Sequence, residues 1–230
     1  MSSFDFSNFL LNISRQPLHV LDAEIAHSSY ISLDLSISNA ELNTVDVADP
    51  TALQNYIDSR LNSSEGTVAY GGYLERRAIY DRSDYFYSED RDTARNIHLG
   101  LDLWLNEGAP IYAPLDGKVH SFKNNKNFGD YGPTIILAHN IENVVFYTLY
   151  GHLSEASLEG LSPGDTVKKG EAFARLGSEK INGNYPPHLH LQIIKDMQGL
   201  KGDYPGVCNQ HQLEFYKGNC PDPNLLLKID

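Results

Sequence analysis

The chain has little of several features that define common protein classes. Its 230 residues hold two cysteines, Cys208 and Cys220, and no Cys-x-x-Cys pair, which excludes a disulfide-rich scaffold and a cysteine-based metal or redox motif. No apolar stretch reaches the length of a membrane span. Lysine and arginine number 18 against 30 aspartates and glutamates, and the formal net charge is −12. Such a surface repels polyanions, so we expect no nucleic-acid partner.

The first residues, MSSFDFSNFLLNIS, also lack the features of a signal peptide. They have no basic segment, only a three-residue apolar run and no small-residue cleavage site. We therefore expect a cytoplasmic protein, with export by an unmarked route left open. In that compartment we expect Cys208 and Cys220 to be free thiols, with a disulfide between them as the alternative.

Residues 1–66 have the pattern of a small α/β subregion. Apolar residues at helical spacing predict a helix near 6–13, and strict alternation predicts a half-buried strand at 31–37. A second helix is predicted from Asp49, which can cap it, with Pro50 in the first helical position. This subregion carries no group of catalytic residue types.

Residues 67–199 have the pattern of short strands and tight turns without intervening helices. The predicted strands lie near 97–105, 110–113, 117–123, 133–139, 143–151, 172–176 and 188–195. This arrangement predicts a mainly β fold with an antiparallel sheet core. Residues 200–230, with three prolines and both cysteines, are predicted to be an irregular wrap.

Residue types suited to metal binding and proton transfer recur within this β region: His98, Asp102, His152, His188 and His190. His188 and His190 are two apart on a strand, so both side chains leave the same face. On a straight strand the Cα atoms of His98 and Asp102 would lie about 13 Å apart. Gly100 between them permits a bend that brings them together. Taken singly, each residue is better explained as an exposed or turn residue.

The order of the blocks is more informative than any single residue. HLGLD, APIYAPLDGKVHSF, YTLYGHLS, GDTVKKGEAFARLG and PPHLHLQI follow one another over about residues 95–195. This series resembles the lysostaphin-type, LytM-like zinc metallopeptidases. The resemblance implies an antiparallel β core of duplicated-hybrid-motif type and one zinc ion per chain, held by His98, Asp102 and His190. It also implies that His152 and His188 act on water and substrate.

The flanking blocks LDLS, YLERRAIY and CPDPNLLL resemble a variant module of the same family, also found joined to kinase-like and aminotransferase-like domains. Leu191 and Gln192 stand where the family usually has an aromatic residue and a glutamate, and residues 182–187 replace a Ser/Thr/Gly-rich loop. We expect both departures to alter the groove and not the metal site. Tyr73 or Tyr80 is a candidate for stabilising an oxyanion.

These features together predict a zinc-dependent metallohydrolase, most simply an endopeptidase that cleaves a peptide bond with zinc-activated water. The expected substrate is a peptide or a peptide-like molecule, with peptidoglycan among the candidates. Two alternatives are a non-catalytic metal-binding or regulatory module of the same fold and an amide hydrolase that acts on a cytoplasmic metabolite. The oligomeric state and the role of residues 1–66 are open at this point.

Overall fold

The computed structural model describes residues 4–83, 86, 88–90 and 92–229. Its helices are α1 (Phe6–Asn12), α2 (Pro50–Ser63), α3 (Leu213–Asn219) and α4 (Asn224–Leu227). Its strands are β1 (Tyr30–Ser32), β2 (Val68–Gly71), β3 (Ile97–His98), β4 (Leu101–Trp104), β5 (Pro110–Tyr112), β6 (Gly117–Asn125), β7 (Gly132–Ile141), β8 (Val144–Gly151), β9 (Thr166–Val167), β10 (Ala172–Arg175), β11 (His188–Ile194) and β12 (Val207–Cys208). Among these described residues, no helix combines the length and the apolar character needed to cross a membrane.

Eight strands form one large sheet in the order β1-β2-β4-β11-β8-β7-β6-β9. All neighbours in this sheet are antiparallel except β1 and β2, which are parallel. Two further pairs, β10 with β5 and β12 with β3, complete the strand pairing. The mainly β fold with an antiparallel core, predicted from the alternating patterns, is confirmed.

Strand β11 lies inside this sheet, between β4 and β8, and it separates two environments. Leu189 and Leu191 pack into the largest apolar cluster, and Ile193 packs into a second one. His188 and His190 face the opposite side. The period-two alternation of a strand therefore places both histidines on one face, as predicted.

Three predicted elements differ from the structure. The strand at 31–37 ends at Ser32, because the backbone amide of Leu35 bonds to the side chain of Glu75 instead of continuing a strand ladder. The strand at 97–105 is interrupted, since β3 pairs with β12 whereas β4 pairs with β2 and β11. The irregular wrap predicted for 200–230 is wrong, because this region contains β12, α3 and α4.

The boundary proposed at residue 66 falls in the connection between α2 and β2. Strand β1 precedes that boundary in the sequence but pairs with β2, which follows it. Tyr30, Ile31 and Ser32 are the paired residues, at the edge of the large sheet. The N-terminal subregion thus contributes a strand to the same sheet that carries the histidines, and the division into domains stays a prediction. Cys208 and Cys220 are both buried and are not joined by a disulfide.

A buried polar chain under the sheet involves a histidine outside the predicted site. His139 is 1% exposed, and its Nδ1–H donates to the carbonyl of Asp116 at 2.9 Å. Its Nε2 lies 2.7 Å from the hydroxyl of Thr148, which is 3.0 Å from the hydroxyl of Tyr150. A neutral imidazole satisfies both contacts, and burial lowers the pKa of His139.

This lowered pKa predicts a loss of stability in acid. The unfolded chain binds a proton at His139 near pH 6.5, whereas the folded chain resists it, so the free energy of unfolding falls as the pH drops below about 6.5. One such group contributes at most about 1.4 kcal/mol per pH unit. Urea unfolding at pH 7.5 and pH 5.5 should show a smaller pH dependence in His139→Gln than in the wild type. His211→Gln, at an exposed histidine, should keep the wild-type dependence, and an unchanged dependence in His139→Gln would contradict the assignment.

Candidate metal centre

The register of three neighbouring strands brings the predicted site residues together. His190 on β11 lies opposite Asp102 on β4 and opposite Gly151 at the end of β8. His152 follows β8 with a φ of 61°, a left-handed conformation that turns the chain out of the strand. His98 enters from the short strand β3. Since β4, β11 and β8 are neighbours, side chains as far as 92 residues apart in sequence meet on one face of the sheet.

Gly100 matters for a reason that differs from the predicted one. Its φ is not among the positive values, so glycine is not required there by the backbone conformation. A Cβ atom at this position would lie 2.5 Å from Cε1 of His190 and 2.7 Å from the carbonyl oxygen of Leu191. The absence of a side chain at Gly100 therefore makes room for the His190 ring between β3 and β4.

Three potential ligand atoms converge at the centre of this face. Nε2 of His98 lies 2.8 Å from Nδ1 of His190 and 3.3 Å from Oδ1 of Asp102, and the distance from Nδ1 of His190 to the same oxygen is 3.2 Å. Within the described residues, His98, Asp102 and His190 are the one group of three with suitable ligand atoms this close.

The hydrogen bonds behind the two imidazoles determine their tautomers. Nδ1 of His98 lies 2.8 Å from the carbonyl of Gly72, which can only accept, so this nitrogen carries the proton. The amide of Gln192 donates through Nε2 to the carbonyl of Pro205, so its Oε1 faces Nε2 of His190 at 3.0 Å and accepts a hydrogen bond from the protonated Nε2. Nε2 of His98 and Nδ1 of His190 are therefore both lone pairs, directed at each other and at a carboxylate.

This donor set fits a divalent metal ion. Three acceptor atoms repel one another at these distances unless a cation neutralises them. Zinc bonds of about 2.0–2.2 Å in tetrahedral geometry place ligand atoms about 3.3 Å apart, which agrees with two of the three measured separations. Burial lowers the pKa of His98 to about 4, against the effect of Asp102, so its imidazole is neutral and suited to bind a metal.

His152 and His188 lie beside this group without joining it. Their ring centroids are 4.2 Å apart, and Nε2 of His188 is 3.9 Å from Oδ1 of Asp102. Nδ1 of His152 donates to the carbonyl of Asn182 and Nδ1 of His188 to that of Pro186, each at 2.7 Å. Both rings therefore present a free Nε2. Burial lowers the pKa of both, further reduced at His152 by His188, so both are neutral bases near pH 7.

The loop at residues 182–187 supplies both of these backbone acceptors. The side chain of Asn182 holds the loop in shape, because its oxygen accepts from the amide of Tyr185 and its nitrogen donates to the Tyr185 carbonyl. The departure noted in this loop therefore concerns the orientation of His152 and His188 as well as the wall of the groove.

The sequence analysis missed Arg77, which forms an ion pair with the carboxylate of Asp102. Its Nη1 lies 2.6 Å from Oδ2 of Asp102 and its Nε lies 2.5 Å from Glu75, and the guanidinium is buried. Burial alone would raise the pKa of Asp102, but His98 and Arg77 outweigh it and hold that pKa well below its usual value. The signal in the sequence is a charged residue enclosed by the apolar and aromatic positions of YLERRAIY.

Gln192 corrects another expectation. It does not line the groove, because its side chain lies behind His190 and bonds to that ring. Leu191 packs in the apolar core and does not line the groove either.

The sequence analysis also missed Tyr131, whose hydroxyl lies 3.4 Å from both Nε2 of His190 and Oε1 of Gln192. The sequence feature that could have indicated Tyr131 is its position between Gly129 and Gly132, directly before β7.

The two candidate oxyanion tyrosines are separated by the fold. The hydroxyl of Tyr73 donates to the carbonyl of Cys220 at 2.9 Å and does not line the site. Tyr80 does line it, beside Arg77, and burial raises the pKa of its hydroxyl, which stays protonated and able to donate.

A cavity of 540 Å³ lies against these side chains. All five predicted site residues line it, and their exposed fractions run from 1% for His98 and Asp102 to 6% for His188. The arrangement places three potential metal ligands, two neutral imidazole bases and a protonated tyrosine around one cavity, a set of groups suited to metal-assisted hydrolysis.

The model of Peptidase family M23 matches residues 96–202, which include His98, Asp102, His152, His188 and His190. The match covers slightly less than half of the chain. The family resemblance read from the sequence is thereby confirmed.

The curated relatives that the chain matches are longer proteins. An uncharacterized metalloprotease of Haemophilus influenzae is 37% identical over 96 residues, which are 42% of this chain and 18% of that protein. The peptidoglycan DD-endopeptidase ShyB of Vibrio cholerae is 30% identical over 112 residues, 47% of this chain and 24% of that protein. The match thus spans less than a quarter of either relative. The solved catalytic domain of lysostaphin from Staphylococcus simulans is 23% identical and covers 64% of this chain and 91% of that chain, with a TM-score of 0.41.

The close approach at Gly100 predicts a specific cost for a methyl group there. Gly100→Ala should lower the free energy of unfolding by about 1–3 kcal/mol, because the new Cβ forces His190 or β11 to shift. Gly218→Ala is the matched control: it lies in α3 with no atom within 4 Å of a new Cβ, and should stabilise the chain by up to about 1 kcal/mol. Urea unfolding of both variants measures the difference, and equal effects would contradict the packing described at Gly100.

Proposed function

We propose that this M23 domain is a zinc-dependent peptidase that hydrolyses a peptide bond, with His98, Asp102 and His190 as the zinc ligands. The observation that carries the proposal is the convergence of two imidazole lone pairs and a carboxylate oxygen within 2.8–3.3 Å, each imidazole proton being directed away from the centre. A metal ion is the partner that such a donor set accepts most readily. Two neutral histidines beside the group supply the proton transfer that hydrolysis needs.

The ligand residues would hold zinc through Nε2 of His98, Oδ1 of Asp102 and Nδ1 of His190. When bound, zinc supplies a Lewis acid for the carbonyl group and lowers the pKa of water toward 7. Two neutral ligands and one carboxylate leave the site with a net positive charge. Arg77 occupies the second oxygen of Asp102, so this carboxylate offers one oxygen to the centre and donates less negative charge to it.

His152 and His188 perform the proton transfers in this proposal. Each is neutral and has a free Nε2, so each can accept a proton from the attacking water. As the water oxygen bonds to the carbonyl carbon and the C–N bond breaks, the proton is returned to the leaving amine. Their Nδ1 hydrogen bonds to backbone carbonyls keep both rings in the required tautomer throughout. The hydroxyl of Tyr80 is positioned in the same cavity to donate to the oxygen on which negative charge develops.

A peptide or a peptide-like amide is the proposed substrate. The relative from Vibrio cholerae is named as a peptidoglycan endopeptidase, which supports a peptide substrate in this domain. A regulatory module without turnover is the competing function. The complete set of three ligands and two free histidine bases favours catalysis, because metal binding alone does not require His152 and His188 to be held in a single tautomer.

The division of the histidines predicts two distinct defects. His190→Ala should lose the metal, because it removes one of three ligands, whereas His188→Ala should keep about one zinc per chain and lose about 10²- to 10⁴-fold in kcat. Elemental analysis of purified protein and hydrolysis of a peptide library measure the two effects. His211→Ala, at an exposed histidine, should change neither. Full zinc content in His190→Ala would overturn the ligand assignment.

The ion pair beneath Asp102 predicts a role for Arg77 in metal affinity. Arg77→Met should weaken zinc binding about 10- to 100-fold, because Asp102 loses the partner that orients it. Arg77→Lys restores the charge but cannot reach Glu75 and Asp102 together, so it should recover only part of the loss. Competition with a chelator measures the Kd. The control is Arg76→Met, since this neighbour bonds to Gln210 near the surface and should leave the Kd unchanged; a similar loss in both methionine variants would refute a specific role.

A further inference from the structure

The cavity beside the metal centre has an apolar wall that residues outside the M23 match supply. Leu35, Leu53 and Ile79 all line this cavity, and all precede residue 96. They belong to one apolar cluster with Tyr80, Phe86 and Trp104. Each of the three aliphatic side chains is less than 8% exposed, so the surface that they leave open faces the cavity and not the bulk solvent.

Trp104 connects this wall to the reacting groups. It lies opposite His188 in the pairing of β4 with β11, and its ring stacks on the imidazole with centroids 5.6 Å apart and an interplanar angle of 22°. The apolar wall therefore begins directly beside one of the two proposed bases. A group held against the wall would lie next to the bond that His188 acts on.

The wall leads to a second, smaller cavity. This space of 130 Å³ is lined by Ile37, Leu42 and Val47, and it shares Leu35, Leu53 and Ile79 with the main cavity. The three shared side chains thus have open space on both sides. A pocket of this kind accepts a bulky apolar group better than a tightly packed core does, because less packing has to be disrupted.

The charged groups around this wall also favour an apolar substrate group. Two cationic groups flank the aromatic part of this cluster: Arg95, 5.2 Å from the Phe86 ring, and Arg77, 5.8 Å from the Trp104 ring. The charge of Arg77 is already balanced by two carboxylates, Asp102 and Glu75. The three aliphatic side chains themselves offer no charge, so a charged substrate group held against them would lose its hydration without gaining an opposite charge, whereas an aliphatic or aromatic group loses nothing.

We propose that Leu35, Leu53 and Ile79 form a specificity subsite, and that the substrate is a short peptide-like amide with a bulky apolar group next to the scissile bond. This inference rests on the proposed function and deepens it by naming the substrate class. The five residues of the centre line one cavity and are at most 6% exposed, which favours a small substrate that enters the cavity over a cross-linked polymer lying across the surface.

The subsite can be tested without turnover. Hydroxamates bind metal centres directly, so the ratio of the Kd of acetohydroxamate to that of hexanohydroxamate on the zinc-loaded chain measures the contribution of an apolar chain. We expect hexanohydroxamate to bind about 10- to 100-fold more tightly by calorimetry. Leu53→Phe, which fills the subsite, should reduce this ratio to near one, and Leu35→Ala should reduce it about three- to tenfold. The ratio cancels any loss of folded protein, because both probes report on the same folded fraction.

Leu226→Ala is the matched control, since Leu226 is buried in a different apolar cluster away from the cavity and should keep the wild-type ratio. A second arm compares kcat/KM for short peptides that differ only in glycine, aspartate or leucine at one position, with leucine expected to be preferred at least tenfold. A ratio near one in the wild type, or cleavage without this preference, would overturn the subsite and leave the peptidase proposal intact. A chain that binds no zinc would remove the peptidase proposal itself.

Discussion

The candidate metal centre depends on the hydrogen bonds that fix the tautomers of four imidazoles. His98, His152 and His188 each donate a hydrogen bond from Nδ1 to a backbone carbonyl, and His190 donates one from Nε2 to the side chain of Gln192. Every lone pair therefore points inward, toward Asp102 or toward the cavity. Neutral histidines in such an arrangement repel one another, and the fold tolerates this because rigid strands and a hydrogen-bonded loop hold the rings. Under the proposed function, the same repulsion favours the binding of a cation.

Much of this centre is predictable from local patterns, because a strand has a fixed period. The alternation of PPHLHLQI predicts that His188 and His190 share a face, and it extends to Gln192, which lies two residues further on the same face. The antiparallel sheet core and most of its long strands follow from the same period and from the turn residues between strands. Helix α2 follows from its Asp49 cap and Pro50.

Long-range pairing decides what local patterns cannot. Nothing near Arg77 indicates that its partner is Asp102, because the contact depends on the pairing of β2 with β4 and on the glycine at position 72, where a side chain would collide with the guanidinium. The strand predicted at 31–37 fails for a related reason. The amide of Leu35 finds its acceptor in Glu75, forty residues away, and a strand pattern contains no information about such a side-chain acceptor.

These contacts also connect the N-terminal subregion to the candidate metal centre. The amide of Leu35 bonds to Glu75, Glu75 bonds to Arg77, and Arg77 bonds to Asp102, so one chain of hydrogen bonds runs from the first strand region to the proposed metal ligand. Leu35 also lines the apolar wall of the cavity. A substrate group that displaces this wall would act on the same segment that orients Asp102 through Glu75 and Arg77. Under the proposed function, binding at the apolar end would bear on the orientation of the Asp102 carboxylate through residues that precede the M23 match at 96–202.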